Sequence, residues 1–516
     1  MALVLSVLEK LQHQPNSTLS TICFIIIISI LCIVKFTRRN NKINNLPPSP
    51  PKLPIIGNLH QLGTLPHQSL KALSDKYGPL LLLQLGQTQV LVVSSADIVE
   101  EIVKTHDVAF SNRANTKAAK VFFYQCKEIA FAPYGEEWRN KRKLCVLELL
   151  NTNRVKSFHP VRTNEVSTMI NSIHEACAKE SSVNLSKLII TTSSNISFRC
   201  IFGLRFETSD DGRKSIAEVV RKMMSQFLKL GVGDLFPSLD WVDVLTGFMS
   251  RLKVTFAELD EFLEEVIEEH KRTKRDDNNK DFVDILLQLQ ERDMLEFELN
   301  GDTMKALLLD LLVAGSDSIS TTIEWAFAEL ANNPKVMKKV QEEVRRIVGG
   351  KSKIEENDIN QMKYMKCVIK ETLRLHPPGP FLIPRETANS VEIKGYHIPK
   401  KVAIYINSYA IHRDPKLWDN AEEFIPERFE GNQQVDYKVK DFQLIPFGIG
   451  RRGCPGISFG VASLEYVIAN LLYWFDWKVP NNNGALIDMK ADYSSGGGRM
   501  LQELLVDLFE FGTMKI

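Results

Sequence analysis

One eleven-residue segment constrains this chain more than any other: Pro446-Phe-Gly-Ile-Gly-Arg-Arg-Gly-Cys-Pro-Gly456. Within it, Gly448-x-Gly450-x-x-Gly453 is a literal match to the dinucleotide-binding fingerprint. That fingerprint needs a strand before it and a helix opening directly on its last glycine. Pro446 spoils the strand, and Cys454-Pro455-Gly456 intervenes before the apolar stretch from Ile457 that would form the helix. The dinucleotide reading is therefore set aside. What remains is a glycine-rich loop that presents one cysteine in front of a helix. Backbone N–H groups and Arg452 would stabilise a thiolate there. The glycines let the backbone lie close to a flat partner, such as a large planar cofactor. An inert buried cysteine would leave three glycines and two arginines around it without a purpose.

The N-terminus sets a second constraint. Leu11 to Val34 contains no Lys, Arg, Asp or Glu, and Ile22 to Val34 is almost purely apolar. A bilayer core needs about 20 residues of helix, which this run supplies. Lys35, Arg38, Arg39 and Lys42 follow at once, against Lys10 before it. Basic flanks stay cytoplasmic, which puts the N-terminus in the lumen and the body in the cytosol. A cleaved secretory signal is the alternative, but the charge lies on the wrong side and no small-x-small site follows. The expected organisation is a short lumenal segment (1–18), a transmembrane signal-anchor helix (19–36), a basic and proline-rich hinge (37–54) and one large domain (55–516). Leu46-Pro-Pro-Ser-Pro-Pro-Lys-Leu-Pro54 suits a stiff spacer.

The 516 residues would suit about three domains at roughly 150 residues each, though single large folds reach this length. Lys plus Arg (64) against Asp plus Glu (63) leaves a formal charge of +1, so bulk charge gives no drive toward nucleic acid. Eight cysteines show neither C-x-x-C nor zinc-ligand spacing, which fits a reducing compartment for the body. Apolar runs at Leu80–Leu85 and Val90–Val93 around Gly86 read as a hairpin. Glu136–Leu149 has helical periodicity with a basic face, and Asp302–Asn333 is one long helical pattern ended by Pro334. Lys271–Asp281 reads as a solvated charged loop. Short β-like segments return at Val391–Ile393 and Val402–Ile406, and again near the C-terminus. The expected class is mainly α with a minor β-sheet.

Phe447-x-x-Gly450-x-Arg452-x-Cys454-x-Gly456 resembles the haem-binding loop of the cytochrome P-450 monooxygenases, with every defining position filled. The resemblance gives Cys454 the role of axial haem iron ligand, its thiolate favouring O–O cleavage. Further landmarks follow in the family's order. Glu371-x-x-Arg374 and Arg428 resemble its buried charge network, a structural role. Trp138-x-x-x-Arg142, Arg385 and Arg452 resemble contacts to the haem propionates, since two buried carboxylates require cationic partners. Ala314-Gly-Ser-Asp317-Ser318 resembles the small-residue stretch and acid–alcohol pair that deliver protons to dioxygen. Its small residues would let a ligand lie against the backbone, and carbonyls freed from the helix could bind water. Ser318 departs from the usual Thr, keeping the hydroxyl but losing the methyl that restricts its rotamers.

The resemblance implies a cytochrome P-450 fold holding haem b (iron protoporphyrin IX). It implies insertion of one oxygen atom from O2 into a lipophilic substrate, with NADPH acting only through a reductase partner. Arg139, Lys141, Lys143 and Arg451 are the expected basic docking face. The neck and the sequence around Cys454 most resemble plant A-type members of clan 71. That points to a specialised metabolite, terpenoid before coumarin, phenolic or alkaloid. The expected pocket draws on segments 106–127, 305–318, 377–384 and 492–500, with Phe110, Phe122, Phe123, Tyr124, Phe381 and Leu382 as lining. Within the last segment, the small residues 494–498 are either a turn or a ceiling over the ligand. The expected location is the endoplasmic reticulum membrane, single-pass, in contact with lipid and with no nucleic-acid partner. A haem isomerase or dehydratase on the same fold, or a non-catalytic haem-binding protein, are the alternatives; the Asp317–Ser318 pair argues against the first.

Overall fold

The computed structural model describes residues 23–29, 45–179, 181–206, 216–273, 280–292, 295–431, 435–437, 441–478, 487, 489, 491–492, 499–500 and 505–510. Most of the expected anchor (19–36) and the small-residue segment 494–498 lie outside the described residues. Residues 23–29 are helical and exposed.

The chain is mainly helical with a small sheet, as its pattern requires. The sheet begins as the expected hairpin, β1 (Leu80–Leu85) against β2 (Thr88–Val93), with Leu80 opposite Val93 and Leu85 opposite Thr88. Gly86 turns the corner at φ +62°, where a Cβ would lie 2.7 Å from the Leu235 carbonyl oxygen, so only glycine fits. Three strands extend the sheet: β3 (Asn112–Arg113), β4 (Arg385–Glu386) and β5 (Ala403–Ile406). Their order is β1-β2-β5-β4-β3, with β5 parallel to β2 and β4 antiparallel to β5. In the last pairing Arg113 stands opposite Arg385. Two arginines 272 positions apart thereby become neighbours.

The helical core is built around α4, labelled with its partners in chain order: α1 (Glu136–Leu144), α2 (Leu185–Phe202), α3 (Phe248–Arg272), α4 (Gly301–Asn332), α5 (Lys363–Leu375) and α6 (Ile457–Trp474). Asn300 caps α4 by accepting the Thr303 N–H at 3.0 Å. At 1.5 Å per residue its 32 residues span about 48 Å. Pro334, expected as a stop, is also the first residue of the next helix, where its missing N–H costs nothing. The helix expected over Glu136–Leu149 is α1 followed by a π-helical turn at Cys145–Leu149. Among the described residues, two helices are long and apolar enough to cross a membrane, α4 and α6. Both are mostly buried in the body, which makes them core helices.

The expected charged loop at Lys271–Asp281 is partly something else. Lys271 and Arg272 finish α3, and buried Asp281 bonds the ring of His270 at 2.8 Å while capping the next helix. Charge density alone does not reveal that a flanking acid is buried.

Candidate active site

The cysteine loop folds as a tight cage on its own backbone. Gly448 (φ +68°) and Gly450 (φ +73°) adopt left-handed conformations. A Cβ at Gly450 would lie 2.8 Å from Asp107 Oδ1, so this glycine is fixed by its turn and a close neighbour rather than by a flat partner. The Cys454 N–H donates to the Phe447 carbonyl at 2.8 Å, and the Gly456 N–H donates to Cys454 Sγ at 3.3 Å. Phe447 packs its ring edge-on against Tyr437, 5.0 Å between centroids. A side chain at Gly456 would meet the sulfur only at 3.9 Å, an ordinary contact. Burial raises the Cys454 thiol pKa, while the Gly456 N–H and the Arg142 charge oppose that rise. Arg142 thus takes the electrostatic role expected of Arg452, because it donates to the Gly453 carbonyl at 2.7 Å.

Arg452 turns the other way. It donates to the carbonyls of Ser111 (2.7 Å), Ile129 (3.0 Å) and Ala132 (2.5 Å), with its guanidinium 4.3 Å from the Trp138 ring centroid. Trp138 is buried and its indole N–H donates to the Ile129 carbonyl at 3.0 Å. Arg385 donates to the Ile449 carbonyl and lies 3.4 Å from Asp107. Sequence reasoning missed Arg113, which donates to the carbonyls of Ala130 (2.7 Å) and Ile383 (2.5 Å). No local signal marks it; only strand pairing brings it here.

These guanidiniums are crowded. Burial, Arg385 and Arg142 depress the Arg452 pKa to about 9, and burial with Arg385 and Arg452 lowers that of Arg113 strongly. Buried like charges facing one another favour an anionic occupant. Haem, with two carboxylates and an iron needing a soft anionic ligand, fits both the cation excess and the sulfur beside it.

The acid–alcohol pair lies mid-way along α4. The helix is continuous there, so the expected freeing of carbonyls for water does not occur. The Ala314 carbonyl accepts the Ser318 hydroxyl and the Gly315 carbonyl accepts that of Ser197 on α2, both at 2.7 Å. Ala314 and Ser318 are exposed in a helix otherwise mostly buried, which marks an opening against its wall; Asp317 is half-buried. The Ser318 oxygen, having donated its proton backwards, keeps its lone pairs as acceptors.

Of the expected lining, Phe110 and Phe122 are fully buried core residues and border no open space. Phe381 packs on His67 and Tyr405 against the sheet, and Leu382 sits at φ +54° beside Gly448. Tyr124 donates to Asp260 at 2.5 Å. Phe123 forms an aromatic trio with Phe131 and Phe227, centroids 5.5 to 5.9 Å apart. Neither partner was foreseen.

The three-residue charge network is complete. Arg374 binds Glu371 through two contacts (2.7 and 2.9 Å), and Arg428 reaches the same carboxylate at 2.9 Å. Arg374 also donates to the carbonyls of His412, Ala421 and Glu423. His412, another unforeseen residue, accepts the Ile445 N–H at 2.9 Å and lies 3.1 Å from the Arg374 carbonyl. The proton must therefore sit on Nδ1. This ring ties the network to the start of the cysteine loop.

Burial, Arg374 and Arg413 hold the His412 pKa down to about 3, and burial with Arg413 holds that of His67 at about 4. The native state thus binds fewer protons than the unfolded chain once pH drops below the ordinary 6.5. Stability is full above that value and declines toward the folded pKa values. Thermal unfolding should show a lower midpoint at about pH 5 than at about pH 7.5, with a smaller difference in His412→Gln.

The cytochrome P-450 family model matches residues 47–495. Cytochrome P-450 71A1 of Persea americana is 50% identical over 431 residues, covering 83% of this chain and 86% of that protein. A phenylacetaldehyde oxime monooxygenase of Prunus mume is 48% identical, covering 86% and 85%. Strychnine-11-hydroxylase of Strychnos nux-vomica is 45% identical, covering 83% and 84%. A zebra fish cytochrome P-450 solved with progesterone superposes with a TM-score of 0.75 at 25% identity, over 86% of this chain and 99% of that one. The family model spans almost the whole body and plant relatives reach half identity, so the chain belongs to the cytochrome P-450 family and is a haem-iron monooxygenase.

Proposed function

We propose that this chain is an endoplasmic reticulum enzyme, anchored by residues 19–36, that oxygenates a lipophilic plant specialised metabolite. Electrons would come from NADPH through a membrane-bound reductase. The observation that carries this reading is the crowd of guanidiniums beside the Cys454 loop, buried on Arg113, Arg385 and Arg452 and half-buried on Arg142. Haem supplies the oxygen chemistry when bound, with Cys454 as its axial ligand. The chain's own residues set the geometry: the arginines hold the carboxylates, and Asp317 with Ser318 passes protons into the opening beside Ala314. Phe131 and Phe227, the half-buried members of the aromatic trio, suit a bulky apolar substrate, with a terpenoid ahead of a coumarin, phenolic or alkaloid.

Membrane contact has a second support in the body. Leu228, Leu230, Trp241, Val244 and Leu245 are exposed, as is Ile55 at the end of the hinge. The two groups meet at the hairpin turn, where Gly86 N–H donates to Ile56 and Gln87 N–H to Leu235. An apolar patch beside the anchor's entry point suits a lipid surface.

The docking face is narrower than charge counting suggested. Lys141 is buried, its ammonium committed to the Lys127 carbonyl and Glu137. Arg139, Lys143 and Arg451 stay exposed, though Lys143 pairs with Glu296 and Arg451 with Asp107. The test is a spin-shift screen of lipophilic metabolites on the full-length protein, followed by turnover of the hits with reductase and NADPH. Reversing Arg139 and Lys143 to Glu should cut reductase-supported turnover about tenfold at low salt, with the gap closing as salt rises. Unchanged turnover and salt dependence would move the docking face elsewhere.

A further inference from the structure

Two carboxyl groups outside the expected set lie behind the arginines. Glu128 is fully buried; Oε1 accepts the Phe131 N–H at 2.6 Å, and Oε2 has no hydrogen-bond partner. Asp310, buried on α4, accepts the N–H groups of Ile129 and Ala130 through Oδ2 at 3.2 and 3.1 Å. The carbonyls of this same stretch receive the cations: Ala130 from Arg113, and Ile129 and Ala132 from Arg452. Residues 128–132 are thus held with carboxylates on their N–H side and guanidiniums on their carbonyl side. The Ile129–Ala130 and Ala130–Phe131 peptide groups are each polarised from both ends, a cooperative arrangement in a low-dielectric interior.

We propose that Glu128 and Asp310 are a positioning pair that holds one proton and, through the 128–132 backbone, sets the charge and seating of the arginine cluster. This rests on the reading of Arg113 and Arg452 as partners of the haem carboxylates. Glu128 faces Asp310 from α4, Lys141 from α1 and Arg452 from the cysteine loop. Asp310 faces Arg113 and Arg452, and the thiols of Cys126, Cys145 and Cys454 feel one or the other acid. Burial and the Asp310 charge drive the Glu128 carboxyl far above the usual range. Burial raises Asp310 as well, but two N–H groups and two arginines oppose the rise. Glu128 is therefore the member that keeps the proton. Its free oxygen has no donor waiting, so ionisation places a second, unmatched negative charge behind the guanidiniums.

Added negative charge disfavours adding an electron nearby and weakens the cluster's hold on an anionic ligand. As pH rises from about 6 to about 9, the haem reduction potential should fall and haem transfer to an excess of scavenger should quicken several-fold. Glu128→Gln, which mimics the neutral acid, should keep the low-pH values of both across the whole range. Asp310→Asn removes the repulsion, so its transition should move to lower pH. A purely structural role would not move that midpoint. The full-length haem-loaded protein is the sample. If Glu128→Gln keeps the parent's pH dependence, or fails to fold, the proposal is wrong, because glutamine reproduces the state it assigns. Failure of the underlying arginine reading would show separately: Arg452→Gln would retain haem as well as the parent.

Discussion

Cys454→Ser is expected to abolish the carbon monoxide absorption band that gives the family its name and to lower oxygenation to below about a thousandth. That is a barrier increase of about 4 kcal/mol or more. The loss is chemical rather than structural. A serine hydroxyl fits the same loop and can accept the Gly456 N–H that Sγ accepts at 3.3 Å, so the fold should survive. What is lost is an anionic, polarisable ligand able to push electron density toward O–O cleavage. The proposed ligand is not a pre-formed thiolate, since burial raises its pKa. The Cys454 thiol would lose its proton on binding iron, whose charge would lower its pKa as metals do for coordinating thiols. Cys454→His should separate ligation from push by retaining iron without the diagnostic band. An iron-loaded Cys454→Ser protein with the band intact would end the assignment.

The second large effect concerns the fold. Glu371→Gln should destabilise the protein by about 3–5 kcal/mol, a large share of the 5–15 kcal/mol typical of folded proteins. The side chains of Glu371 and Arg374 are both fully buried. Glu371 accepts from Arg374, Arg428 and the Ile425 N–H, so neutralising it strands two cations in low dielectric. Because Arg374 also gathers three carbonyls, and its own carbonyl meets His412 beneath Ile445, the damage should reach the cysteine loop. Haem-loaded yield and thermal midpoint should drop together. Lys71→Ala, which breaks an exposed pair with Asp75, should cost less than about 1 kcal/mol and serves as the control. Equal effects from the two variants would remove the network's claim to brace the site.

Much of the site was legible because its chemistry is written locally. The cysteine loop, the pair at 371 and 374, and the acid–alcohol pair at 317 and 318 each depend on residues within a turn of one another. Periodicity and breakers gave the hairpin and the long helix for the same reason. The failures share the opposite property. Arg113 reaches the cluster only through a strand pair with Arg385, and Phe227 meets Phe123 across more than a hundred residues. Glu128 and Asp310 look like ordinary polar positions until the fold buries both. Phe110 and Phe122 went wrong in the other direction, because aromatic character does not distinguish a cavity wall from a packed core.

Sequence by itself determined the family and with it the haem-iron monooxygenase class, through a lone cysteine in a glycine-rich loop and an acid and a base three residues apart at 371 and 374. These follow from residue type and short spacing, which the covalent chain carries unaided. Tertiary structure alone decided which arginines crowd together, that Arg142 rather than Arg452 attends the sulfur, and which carboxyls lie behind them. Charge interactions depend on distance and burial, and both are set by contacts between segments hundreds of residues apart.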